Sequence, residues 1–304
     1  IPCAGDDIHG GREHARSTTR DTRAWEERMT QLVRIGHSPD ADDAFMFYAM
    51  THGKVTMPGV RIEHVLEDIE SLNRRAGSTE LEVTAVSCAT YPAIADRYRL
   101  MDPGASMGKG YGPILVAREP VSPEALSGRV FAIPGYGTTA YLLLRLALGD
   151  PAVIVVAFDQ IPRVVAEGQA DVGLLIHEGQ ITYSAMGLFK VLDLGELWTK
   201  RTGLPLPLGV NVTRRDLGED MARRLSEALR ESIRYAHAHP DEAVGYAMRY
   251  GRGIDADTCT RFVHMYVNDY TVTLGEEGRR ALETLYRDAV GARLLDKMPP
   301  LDPL

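Results

Sequence analysis

Asp171-Val-Gly-Leu-Leu-Ile-His177-Glu-Gly-Gln180-Ile-Thr-Tyr183 reads as a short apolar strand ending on an imidazole, a carboxylate, a glycine and an amide. A brief apolar run bounded by glycine is the pattern of a strand buried within a sheet. In open α/β sheets, ligands gather at the carboxyl ends of the strands. His177 therefore stands where chemistry is done, and imidazole, with an unperturbed pKa near neutrality, suits a general base. A histidine that merely caps a strand through one hydrogen bond fits the same pattern, so the rest of the chain must decide. Glu178 follows directly, and because adjacent strand residues face opposite ways it is set aside from direct catalysis.

Working outward, strands are expected at 31–36, 60–65 and 82–86, the last ending at Ser87. Helices are expected at 44–50, with Asp42 or Asp43 as N-cap, at 69–75, which contains Asn73, and at 89–97. A second series follows, with strands at 114–117, 129–133, 152–157, 170–176 and 189–194 and helices at 140–148 and 161–168. Strand–helix alternation at this spacing implies βαβ units and parallel pairing. The proline-interrupted stretch at 202–209 reads as a linker or ordered crossover, followed by a strand at 210–213. Amphipathic helices then fill 219–237, 241–250, 256–266 and 276–290.

This order predicts an α/β protein of two lobes. Residues 29–117 and 210–304 would form the larger domain and 118–209 a smaller inserted one, with a ligand cleft between them. Residues 1–28 are polar without a periodic apolar face and are expected to be a disordered extension, with Met29 as the working start.

Composition narrows the function classes. The chain has 304 residues, 44% hydrophobic and 25% charged, with a formal net charge of −8. That balance argues against a nucleic-acid partner, because phosphate neutralisation needs clustered Lys and Arg. No stretch has membrane-spanning length, and no apolar segment near the start suits a secretory signal. Three widely spaced cysteines suggest neither a zinc site nor a disulfide framework, which fits a reducing cytoplasm. Asp40, Asp42 and Asp43 lack the glycine and distal glutamate of a calcium loop, so no metal is expected.

Other strand ends carry small polar groups. Gly135-Tyr-Gly137-Thr138-Thr139 sits at a strand-to-helix turn, where glycines permit close backbone approach and a threonine can cap the helix. Its free N–H groups and positive helix end make an anion site, better suited to a carboxylate or hydroxyl-rich ligand than to a triphosphate. Ser38-Pro39-Asp40 and Ser87 mark two further strand ends, and His37 offers another polar contact. Hydroxyls in such places are commonly turn-formers. Their recurrence at successive strand ends suggests one cleft.

Together the segments 36–49, 65–73, 134–141, 176–180 and 201–209 resemble the 1,4-dihydroxy-6-naphthoate synthase family of the futalosine route to menaquinone. The resemblance spans about residues 32–290. It implies a type II periplasmic-binding-protein-like fold with two α/β lobes around a cleft. It implies conversion of cyclic dehypoxanthine futalosine to 1,4-dihydroxy-6-naphthoate by loss of the sugar-derived fragment, with no cofactor. By the same resemblance His177, in the His-Glu motif, is the catalytic base. Ser38, Asn73, Ala85, Val86, Ser87, Thr138 and Thr139 fall in substrate-contacting segments. Some members have Ser-Pro-Cys-Pro-Asn-Asp in the first loop, so no role for Asp40 is implied.

Two alternatives share the fold: a carboxylate solute receptor and the sister enzyme chorismate dehydratase. A receptor would carry an export signal, and the sister enzyme is expected to differ at Ser38-Pro39-Asp40 and His177-Glu178-Gly179. The expected partner is a small-molecule substrate, and the Met- and Tyr-rich C-terminal helices could bury a homodimer surface.

Overall fold

Gln31–His37 (β1) runs parallel to Val60–Leu66 (β2) on one side and to Val83–Ser87 (β3) on the other. This is the βαβ arrangement that the alternation predicts. It is seen in a computed structural model that describes residues 30–251 and 253–304. The expected extension at 1–28 and Met29 lie outside the described residues. Tyr98–Leu100 (β4), Ser106–Gly108 (β5) and the later Leu206–Arg214 (β11) complete the first sheet, in the order β2-β1-β3-β11-β4 with β5 paired to β11. The second sheet contains Ile114–Ala117 (β6), Val130–Ile133 (β7), Ala152–Val155 (β8), Val172–Leu175 (β9) and Phe189–Asp193 (β10). Its order is β10-β6-β9-β7-β8.

Parallel pairing holds for β7 with β8 and β9, but the strands next to the chain's crossings between lobes run antiparallel. Residues 114–117, grouped from sequence with the first lobe, hydrogen-bond in the second sheet. In the other direction, Leu206–Gly209 of the expected linker is already strand. Pro207 is tolerated there because it pairs only with β5 at Met107, before the pairing with β3 begins at Gly209. The helix expected at 89–97 shrinks to one turn, Tyr91–Ile94, and gives way to β4. Tyr98 and Leu100 are buried with Arg99 facing outward, and that period of two overrides helix propensity.

Helix Ala41–Thr51 is buried over ten successive residues, Ala41 to Met50. A helix buried on every side belongs to a core. Phe45, Met46 and Phe47 pack with Leu225 and Leu229 of helix Glu219–Ala238 and with Phe262 of helix Ala256–Tyr266. Truncating one such aromatic to alanine costs about 3–5 kcal/mol. Tyr246 and Tyr266, from the helices expected to offer a dimer surface, are buried in this same cluster. The packing clamps the first turn of helix Ala41–Thr51 beside the cleft. Among the described residues no helix is long and apolar enough to cross a membrane.

Candidate functional site

The carboxyl ends of β1 and β3 face those of β7 and β9 across a cleft of about 720 Å³ of empty space, its mouth included. Both lobes line it, with Ser38, Ala85, Val86 and Ser87 on one wall and Thr138, Thr139 and His177 on the other.

His177 lies two residues beyond the end of β9 and adopts φ = 53°. That left-handed conformation is uncommon for a non-glycine residue, although histidine is among those enriched there, and holding it costs on the order of 1–3 kcal/mol. Its Nδ1 is 3.2 Å from Asp40 Oδ2 on the opposite lobe. The Phe158 ring meets the imidazole edge-on at 4.9 Å between centroids. Nε2 has no hydrogen-bond partner. An imidazole gripped at Nδ1 by a carboxylate is fixed in orientation, with the lone pair of Nε2 left to accept a proton.

The first strand-to-helix turn concentrates acids. Asp40 is the residue preceding helix Ala41–Thr51, and Asp42 and Asp43, expected as caps, instead occupy its first turn. Asp40, Asp42, Asp43 and Glu178 are only 1%, 8%, 7% and 5% exposed. Ser38 Oγ donates to Asp40 Oδ2 at 2.6 Å, and Ser38 N–H donates to Asp43 Oδ2 at 2.6 Å. Burial pushes the Asp43 carboxyl up to about 6, with the charge of Asp40 adding to it and the Ser38 hydrogen bonds opposing it. Asp42 lies well above the usual carboxylate range, first through burial and then through the charges of Asp43, Asp40 and Glu178. A helix N-terminus favours an anion by about 0.3–1 kcal/mol, up to ~2, whereas burying an ion costs several kcal/mol, so burial wins.

Glu178 shows where strand alternation fails as a guide. The strand has already ended, and the positive φ of His177 turns the chain, so Glu178 is buried close enough to Asp42 and Cys259 to raise both. His37, read as a further polar contact, does not line the cleft. It stacks on Phe47 at 4.3 Å and bonds His64 Nδ1 through Nε2 at 3.1 Å. Burial, then the charge of His64, lowers it to about 3.

Asn73 stands behind Ser87. Its amide oxygen accepts from Ser87 N–H at 2.9 Å and its nitrogen donates to Ser87 Oγ at 3.1 Å, which orients the serine toward the cleft. Thr138 caps helix Thr139–Leu148, its hydroxyl accepting from Tyr141 N–H at 3.3 Å. The Thr139 hydroxyl donates to Leu208 O at 2.6 Å and accepts from Ala89 N–H at 3.2 Å, tying this helix to the returning chain.

The anion site read at 135–139 already faces an anion of the protein's own. Gly137 N–H points to both carboxylate oxygens of Glu70, at 3.3 and 3.2 Å, from the other lobe. A Cβ on Gly135 would lie 2.3 Å from Glu70 Cδ, so close approach, not positive φ, explains that glycine.

Sequence reasoning missed the Gln180–Tyr266 pair. The hydrogen-bond pattern sets the Gln180 amide nitrogen to donate to Tyr266 OH at 2.6 Å and to Gly112 O at 2.5 Å, with its oxygen accepting from His177 N–H at 3.1 Å. Gln180 sits in the quoted motif and was within reach. Tyr266 lies far along the chain on an ordinary amphipathic helix, and nothing in its local pattern marks it. Among the described residues no group of three or more His, Cys, Asp or Glu is arranged to hold a metal ion.

Two α/β lobes enclosing a cleft define the periplasmic-binding-protein class of fold. A ligand-binding component of an ABC-type import system from Staphylococcus aureus aligns with a TM-score of 0.68 at 13% identity, covering 90% of this chain and 97% of that one. The alkanesulfonate-binding protein of Xanthomonas axonopodis pv. citri aligns at 0.66 and 12%, covering 88% and 94%. At such identities the likeness is one of fold alone.

Sequence similarity goes further. A family model described as menaquinone biosynthesis matches residues 33–290. The chain is 44% identical over 269 residues to a 1,4-dihydroxy-6-naphthoate synthase of Thermus thermophilus, covering 88% of this chain and 98% of that protein. It is 36% identical over 275 residues to the Streptomyces coelicolor enzyme of the same name, covering 88% and 96%. A crystallised protein of Archaeoglobus fulgidus is 50% identical with a TM-score of 0.83, covering 87% and 98%. The chain belongs to the 1,4-dihydroxy-6-naphthoate synthase family of menaquinone biosynthesis enzymes.

Proposed function

We propose that the protein converts cyclic dehypoxanthine futalosine to 1,4-dihydroxy-6-naphthoate with His177 as general base. The observation that carries this is the imidazole in the cleft, held at Nδ1 by Asp40 at 3.2 Å with Nε2 unpartnered. A proton on carbon beside a carbonyl passes to Nε2, the carbon–hydrogen electron pair forms the new double bond, and the bond to the sugar-derived fragment breaks as the ring aromatises. The step is redox-neutral and takes no cofactor. A positioned base contributes about 10²–10⁴-fold, and preorganised polar groups in the cleft stabilise the enolate.

Asp40 acts through His177 as a positioning residue. Ser87, backed by Asn73, and the first turn of helix Thr139–Leu148 flank the substrate, with Ala85 and Val86 forming the apolar wall and Ser38 beside Asp40. Residues 109–113 and 194–205 are the crossings on which the lobes close, and we place the protein in the cytoplasm.

The test is incubation of the protein with cyclic dehypoxanthine futalosine, following naphthoate by absorbance and mass. Wild type should form product and His177→Ala should lose about 10²-fold or more in kcat. An equally active variant would remove His177 from the mechanism, and tight binding without product would point to a receptor.

A further inference from the structure

The base leaves its partner unassigned. Breaking the bond to a sugar-derived fragment leaves an electron pair on the departing oxygen, and a positioned donor lowers the barrier by meeting it. The donor has to touch the cleft, carry a proton and be free of other commitments. Among the acids around His177, Asp40 is engaged by the imidazole and by Ser38 Oγ, and the Asp43 carboxyl accepts from Ser38 N–H. Glu178 does not line the cleft. The Tyr266 hydroxyl is engaged with Gln180.

Asp42 differs from all of these. It lines the cleft, is only 8% exposed, and its Oδ1 has no hydrogen-bond partner. Helix Ala41–Thr51 is buried so completely that the carboxyl has no alternative position in solvent. The groups facing it are Asp40 and Asp43 from its own turn, Glu178 from the opposite lobe, and Cys259 and Tyr266 from helix Ala256–Tyr266. None is a cation that would draw off its proton.

Resting on the reaction proposed above, we infer that Asp42 is the general acid that protonates the departing fragment. His177 takes the proton from carbon, and the bond to the fragment breaks. The fragment's oxygen keeps that electron pair and binds the Asp42 proton. The imidazolium and the new carboxylate then differ by one proton, whose return restores both groups. Acid and base thus stand on opposite lobes, both lining the cleft.

Burial raises the Asp42 carboxyl and so favours its protonated, donor form, which is lost as pH rises, so kcat must fall on the alkaline side. In Asp42→Asn that alkaline limb disappears and kcat drops about 10²–10⁴-fold, while the acid limb of the profile stays in place. Asp42→Glu keeps the carboxyl and should restore measurable turnover with a displaced alkaline limb. If Asp42→Asn fails to fold, as a melting curve would reveal, the displaced limb of Asp42→Glu carries the test. Turnover by Asp42→Asn within about threefold of wild type, or a retained alkaline limb, overturns the assignment while leaving the reaction standing. A moved acid limb means that Asp42 acts as a charge on His177, which also overturns it. No naphthoate from wild type removes the reaction and the acid together.

Discussion

Two strand-to-helix turns face each other across the cleft, at 38–43 and at 134–139, and they treat the same electrostatic problem differently. Each exposes a helix N-terminus with unpaired N–H groups. In the first, the chain supplies its own anions: Asp43 takes Ser38 N–H and Asp40 precedes the helix. In the second, only the neutral Thr138 is local, and the carboxylate comes from Glu70 on the other lobe. The first turn is complete within one lobe. The second is complete only when the lobes meet, as is the Asp40–His177 contact and the hydrogen bond from Thr90 Oγ1 to Gly137 O at 2.9 Å. A self-contained turn fixes acids in place permanently, whereas a shared one reports whether the cleft is closed.

The largest expected effect tests the self-contained side. His37 immediately precedes the first turn and is held neutral, its folded pKa lowered from 6.5 to about 3 by burial and then by His64. A depressed histidine contributes stability that is intact above about 6.5 and lost as pH falls toward 3, because the unfolded chain takes up the proton first. Unfolding free energy should therefore fall over this window by an amount on the order of several kcal/mol. His37→Phe keeps a ring on Phe47 and removes the titration, so its melting temperature should vary less between pH 6.5 and 3 than that of wild type. Parallel curves would mean that the first turn owes nothing to this histidine.

Asp40→Asn tests the link between the two sides. It keeps the size of the side chain but removes the carboxylate that orients the His177 ring. Misplacing a reacting group by about 1 Å can cost 10²-fold, and a loss of that order in kcat with little change in KM is expected. The same loss in KM alone would make Asp40 a substrate contact instead.

How much of this was legible depends on what each feature rests on. The run at 171–183 showed its strand and its histidine because a buried strand is a local pattern, and β9 ends where ligands gather. The glycines at 135 and 137 signalled close approach, but the group approaching, Glu70, is 65 residues upstream of Gly135. Asp40 and Tyr266 join the site through contacts between lobes, which no local period encodes. The helix at 89–97 came out shortened, and the end of the linker or ordered crossover read at 202–209 came out as strand, for a related reason, since pairing between distant strands decided the structure of 98–100 and 206–209. Glu178 stays out of the cleft lining, but alternation is not the reason, because the positive φ of His177 turns the chain after the strand has ended.

The smallest effect bears on the shared turn itself. Glu70 holds Gly137 N–H together with Asn73, whose amide nitrogen lies 3.4 Å from Glu70 Oε2. Glu70→Gln retains an acceptor but removes the charge facing the helix N-terminus, a difference of about 0.3–1 kcal/mol. If Glu70 latches the closed form, that amount appears as a KM raised up to roughly fivefold with kcat unchanged, because closure is part of binding. If Glu70 instead competes with a substrate carboxylate for the same N–H groups, removing its charge lowers KM. The latch is the expected outcome, because the glycines at 135 and 137 bring the backbone up to Glu70 so closely that a Cβ would strike it at 2.3 and 3.0 Å. A KM that falls, or does not move, would make the second turn an open anion site and remove the distinction between the two turns.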